Sequence, residues 1–145
     1  MLDKRKFYIN GKWVEPSSKN DLDVINPSDE SVCAVISLGS QEDTDQAVAA
    51  AKAALPMWSA SSKADRIALL ERLHAIYERR MDEMAEVISM EMGAPIDFSK
   101  RSQATSGTSA IEDFLNQLRK FEFEEQLDDS DNQLIYEAKG VCALI

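Results

Sequence analysis

The amino-acid sequence predicts an α/β chain: β-hairpins over the first 40 residues, three helices through the middle, and strands again at the end. Three observations predict it. Large apolar and polar residues alternate around Asn10-Gly11, the apolar period lengthens from two to about 3.6 at Gly39-Ser40, and extended, apolar character returns at Gln133 and Val141. With 145 residues, 44% of them hydrophobic, five Gly and four Pro, the chain has the size and composition of one ordinary folded domain.

The first hairpin is predicted within FYINGKWVEP, because Asn-Gly accepts the positive φ angles of a two-residue turn. A second extended unit follows. Val24, Ile25, Asn26 and Pro27 lead into a Ser28-Asp29-Glu30 turn and then the β-branched run Ser31 to Leu38. Ser40 with Asp43 marks the start of a helix whose apolar stripe is Ala47, Val48, Ala51, Ala54 and Leu55, and Pro56 is expected to end it. Ser62 with Asp65 repeats that start signal. Ile67, Leu70, His74, Tyr77, Met81, Met84 and Ile88 then fall at spacings of three and four, which predicts one long helix to about Met92, closed by Gly93 and Pro95. A third helix is predicted over about Asp97 to Glu125, with Ala104, Ile111, Phe114, Leu115, Leu118 and Phe121 on one side and Gly107 weakening it by up to about 1 kcal/mol. The acidic Leu127 to Asn132 reads as a turn, Gln133 to Glu137 as a strand, and Val141 to Ile145 as an apolar strand of the kind that lies inside a parallel sheet.

Sixteen basic and 26 acidic residues leave a net charge of -10 spread along the chain, so the clustered basic face that nucleic acid requires is missing. No window approaches the roughly 18 apolar residues of a membrane span, and the basic N-terminus is followed by no apolar leader. The two cysteines, Cys33 and Cys142, show no metal or disulfide spacing. A reducing, cytoplasmic setting is expected.

The fragments carry a resemblance when taken in order: Phe7-Tyr8-Ile9-Asn10-Gly11-Lys12-Trp13, Val24-Ile25-Asn26-Pro27, Leu38-Gly39-Ser40 before Glu42-Asp43, then Trp58, Arg66, Glu91-Met92-Gly93-Ala94-Pro95, and Glu137 with Gly140-Val141. This series resembles the N-terminal segment of the NAD(P)-dependent aldehyde dehydrogenase superfamily and covers essentially the whole chain. The resemblance implies that residues 1–132 are the hairpin and helical part of a cofactor-binding domain, 133–139 the start of an oligomerisation arm, and 140–145 the first strand of a Rossmann-like sheet. Two departures stand against the pattern: Ala138 where proline is common after Glu137, and Asp29-Glu30 where the turn often holds glycine.

The family's chemistry is implied with it. A Cys thiolate attacks the aldehyde, a hydride passes to NAD or NADP, and a Glu-activated water releases the acid. In the family that Cys, that Glu, the cofactor-binding Lys and an oxyanion-binding Asn all lie beyond the position of Ile145. No catalytic residue is therefore expected here. Cys33 and Cys142 sit in apolar runs and read as buried, inert thiols, and His74 on its helix stripe reads as a boundary histidine. Ile145, at the end of the last strand, is the one residue the resemblance places beside the cofactor. It also implies a monovalent cation site from the carbonyls of Val24 and Ile25 and the carboxylate of Glu91, an oxygen donor set suited to hard cations. The expected whole is an aldehyde-oxidising homo-oligomer, dimer or tetramer, with this chain inactive alone. The alternative is a non-catalytic protein that pairs with full-length subunits.

Overall fold

In the computed structural model, residues 1–127 and 131–144 are described, and residues 128–130 of the expected acidic turn lie outside them. Strands come first: β1 (Leu2–Lys4), β2 (Phe7–Ile9), β3 (Lys12–Val14), β4 (Asp21–Ile25) and β5 (Val32–Ser37). Asn10 at φ 51° and Gly11 at φ 74° make the β2–β3 turn that the Asn-Gly pair predicts. β4 and β5 pair antiparallel, and β1 adds to β5 in parallel, giving the order β1-β5-β4. The sequence pattern missed β1, because a three-residue edge strand is too short to show a period.

Helix α1 (Gln41–Ser59) opens on a complete capping box. Ser40 accepts from the Asp43 backbone N–H, and the Asp43 carboxylate accepts from the Ser40 N–H at 2.9 Å and from the Ser17 N–H at 2.9 Å. Pro56 was expected to end α1, yet the helix runs three residues further. Proline removes the bond that Lys52 would have received.

The long helix is divided into α2 (Lys63–Arg79) and α3 (Met81–Met92). No glycine or proline marks the break. Arg80 sits at φ -107°, ψ 14°, its N–H shared between Ile76 O and Tyr77 O at 3.1 and 3.0 Å. The cause is tertiary: α3 turns to pack on the segment beyond Gly93, where Ala85 is fully buried.

That segment begins with the short α4 (Ile96–Phe98), widens into a π turn (Ser99–Gln103), and continues as α5 (Ala104–Lys120). The extra residue of a π turn rotates the helix face. Ser99, fully buried, donates to Gln103 Oε1 at 2.9 Å, and Ala104 is buried next to it. Leu115 and Leu118 are buried further along α5, which packs on α2. Phe114, expected on the inner stripe, is 60% exposed. The helix also ends before the expected Glu125, because Glu124–Gln126 forms β6, antiparallel to β7 (Gln133–Ile135). Phe121, Phe123 and Tyr136 cluster at the base of this pair with ring centroids 4.9 and 5.0 Å apart. The strand expected from Val141 is not formed over residues 141–144, which have no strand beside them among the described residues. A strand exists only through its pairing.

The caps make a pH prediction. The Asp43 carboxyl is lowered by the Ser40 and then the Ser17 backbone N–H, the Asp65 carboxyl by the Ser62 side chain, and the Asp3 carboxyl to about 2 by the Arg5 side chain. A carboxyl lowered on folding stabilises the fold above its unfolded pKa, near 4, and loses that contribution as pH falls through the lowered value. The melting temperature is therefore expected to hold between pH 7 and about 5 and to fall steeply below about 4. In Asp43→Asn the acid-side slope should be shallower. An unchanged slope would contradict this role.

Candidate functional site

The residues expected to bind a cation lie near one another in part. Val24 and Ile25 end β4 at an irregularity where Val24 faces Ala34 but Ile25 faces Val32. The Val24 carbonyl accepts from Cys33 Sγ at 3.2 Å. The chain then turns tightly, with Asn26 N–H on Ser31 O at 2.9 Å and Glu30 N–H on Asn26 O at 2.8 Å. The C-terminus of α3 abuts this turn. Gly93 caps α3 in the left-handed region at φ 70°, and a Cβ there would stand 2.7 Å from Pro27 Cγ. Glycine is required at this position twice over, for its φ and for the closeness of Pro27. Glu91, two residues earlier, is exposed, and among the described residues its carboxylate makes no ion pair or hydrogen bond. The turn and the helix end are thus brought together, but among the described residues no hydrogen bond joins the Glu91 carboxylate to Val24 or Ile25. Ile145 lies outside the described residues. No group of three or more His, Cys, Asp or Glu side chains placed for a metal ion occurs among the described residues.

The thiols differ from expectation in one case. Cys33 is half-buried and bonded to a carbonyl, whereas Cys142, read as buried, is exposed. Its apolar neighbours Val141 and Leu144 are exposed as well, Leu144 at 99%. Apolar sequence becomes buried only where another element covers it.

His74 is held between two acids, one on its own helix and one on α5. Its Nδ1 lies 3.6 Å from Glu78 Oε2 and its Nε2 3.4 Å from Glu112 Oε1, with 16% of the side chain exposed. Nε2 is enclosed without a hydrogen-bond partner. Glu71, Glu112, Leu115, Asn116 and Arg119 complete a polar cleft of about 350 Å³, and the Arg119–Glu71 pair at 2.8 Å lies along it. Glu78 at four residues' spacing was legible on one helix. Glu112 comes from α5, and no sequence signal places it there. A larger open cleft, about 940 Å³, lies between Trp13 and the N-terminal strands. Its charges are mostly spent on one another: Arg5 on Asp3 at 2.6 Å, Lys6 on Glu15 at 2.7 Å, and Lys19 on Asp21 at 3.8 Å. Nucleophilic catalysis needs a thiol or hydroxyl within reach of a base. Among the described residues neither Cys33 nor Cys142 is bonded to His74 or to a carboxylate.

Comparison with known proteins gives a consistent result. The sequence profile described as "Aldehyde dehydrogenase family" matches residues 13–145. A 3-succinoylsemialdehyde-pyridine dehydrogenase from Pseudomonas sp. is 40% identical over 146 residues, covering 100% of this chain and 30% of that protein. The chain therefore spans about a third or less of the curated relatives it matches. Among solved structures, an aldehyde dehydrogenase from Bartonella henselae superposes at TM-score 0.87 with 49% identity, over 90% of this chain and 28% of that one. Aldehyde dehydrogenase C from Pseudomonas syringae, solved with NAD+ and octanal, superposes at TM-score 0.83 with 35% identity, over 86% of this chain and 26% of that one.

Proposed function

Because this chain belongs to the aldehyde dehydrogenase family and corresponds to the N-terminal part of its members, we propose that it is a segment of an enzyme that oxidises an aldehyde to a carboxylic acid, and that alone it performs no oxidation. The observation that carries the second half is the state of its thiols: Cys33 is bonded to a strand carbonyl, and Cys142 is exposed and makes no hydrogen bond to a base among the described residues. In the full-length enzyme NAD or NADP accepts the hydride. The five glycines make no Gly-rich phosphate loop, and Ile145 is the residue of this chain that would reach that cofactor.

Under this reading residues 1–132 support the cofactor domain, 133–139 begin an oligomerisation arm, and 140–145 become a sheet strand once neighbouring strands are supplied. The full-length protein would be a cytoplasmic homo-oligomer. No helix among the described residues is long and apolar enough to cross a membrane. Val24, Ile25 and Glu91 would hold a monovalent cation. The contact of Gly93 with Pro27 supports that reading, as does the negative end of the α3 dipole nearby.

Incubating the purified chain with octanal and either NAD+ or NADP+ is expected to produce no reduced nicotinamide. Turnover abolished by Cys33→Ser or Cys142→Ser would overturn the assignment. The interaction-protein alternative draws on one feature, the exposure of β6 and β7 along their whole length, which leaves edges open for pairing. Co-expression with an intact homologue separates the two: a mixed oligomer favours the alternative, and failure to co-purify removes it.

A further inference from the structure

His74 is the one histidine of the chain, and its surroundings suit a proton that the proposed oxidation does not use. The two ring nitrogens face two carboxylates, Nδ1 at 3.6 Å from Glu78 Oε2 on α2 and Nε2 at 3.4 Å from Glu112 Oε1 on α5. An ionised carboxylate only accepts hydrogen bonds, and a neutral imidazole has one N–H to give. One nitrogen of the neutral ring must therefore turn its lone pair toward a carboxylate. Nε2 is enclosed without a hydrogen-bond partner, which leaves Glu112 as the acceptor nearest to a proton placed there.

The other charges of the cleft leave room for a positive ring. Glu71 comes from α2 and Arg119 from α5, and they are matched to each other at 2.8 Å, with Asn116 accepting a further Arg119 N–H at 3.3 Å. Leu115 is the remaining wall, and α3, which also touches both helices, lines none of the cleft. Among the described residues Glu78 and Glu112 thus have no cation within ion-pair distance other than His74. We propose that His74 is a proton-dependent fastener between α2 and α5: as an imidazolium it donates to Glu78 and Glu112 together and ties the helices, whereas the neutral ring can serve only one of them. Stabilisation by the charged ring is full below the ordinary imidazole range, about 6.5, and is lost as the proton leaves at higher pH. The carboxylate caps act in the opposite sense and at lower pH, below about 4, so the two windows are separate. Both helices and every charged group involved belong to this chain, whatever reaction the full-length protein performs.

Thermal melts of the parent chain, His74→Gln, Glu112→Gln and the double variant, at about pH 6 and about pH 8, test it. The margin of the parent over His74→Gln is expected to be about 2–4 °C wider at the lower pH, as one partly exposed ion pair gives in a chain of this size. In the Glu112→Gln background that widening should shrink by half or more, because a neutral amide holds an imidazolium far less firmly. Circular dichroism at about pH 8 establishes that each variant is folded. If His74→Gln does not fold, the margin of the parent over Glu112→Gln, a half-exposed site, should widen in the same sense and decides alone. A margin equal at both pH values, or a widening that survives intact in Glu112→Gln, would overturn the proposal.

Discussion

Leu115→Ala is expected to lower the stability of the chain by about 2–5 kcal/mol, the cost of the lost transfer energy together with the cavity it leaves. Leu115 is 4% exposed, between α5 and α2, and with Ala104, Leu118 and Ala85 it forms the centre of the helical core. Single domains are stable by only about 5–15 kcal/mol. A loss of this size removes a large part of the total, and urea unfolding should show a midpoint well below that of the parent chain at similar slope. Phe114 gives the comparison. It precedes Leu115 in the chain but is 60% exposed, so Phe114→Ala is expected to change stability far less. If Phe114→Ala proved the more costly of the two, α5 would be presenting its other face to α2.

Gly107→Ala is the second large effect, and its sign is the informative part. In an exposed helix this substitution gains about 1 kcal/mol of helix propensity. Here Tyr77 lies over the glycine: a Cβ would stand 2.5 Å from Tyr77 Cζ and closer still to its hydroxyl, which donates to Ala104 O at 2.9 Å. The ring is rigid and held by that bond. Moving it costs about 1–3 kcal/mol of overpacking and about 1 kcal/mol for the hydrogen bond, so the net result should be a destabilisation of about 1–3 kcal/mol. In a Tyr77→Leu background the obstacle is gone, and Gly107→Ala should become neutral or stabilising. Thermal melts of the four proteins form a double-mutant cycle. Additive effects would mean that the ring and the glycine are independent.

The same two residues show how far the sequence could be read. Gly107 and the Ser/Thr-rich stretch around it look like a weak point of a helix, and local propensity cannot say otherwise. Tyr77 arrives from a helix some 30 positions earlier, on the far side of the Gly93 turn. His74 is a parallel case, since Glu78 was visible on its own helix whereas Glu112 became its neighbour only when α2 packed on α5. For the candidate cation site, the end of α3 and the turn after β4 meet at Gly93 and Pro27, a proximity that no periodicity encodes.

What the sequence determined by itself was the chain's local chemistry: the Asn10-Gly11 turn, the boxes begun by Ser40 and Ser62, the left-handed stop at Gly93, and the ordered set of fragments shared with one enzyme family. These depend on side chains reaching backbone groups within a few residues. Only the tertiary structure decided that the long helix bends at Arg80, that a π turn at Ser99 precedes α5, and that Leu115 and not Phe114 is covered. Burial and helix direction are set by what packs on an element from elsewhere in the chain. An apolar residue's own identity carries no information about whether that neighbour is present.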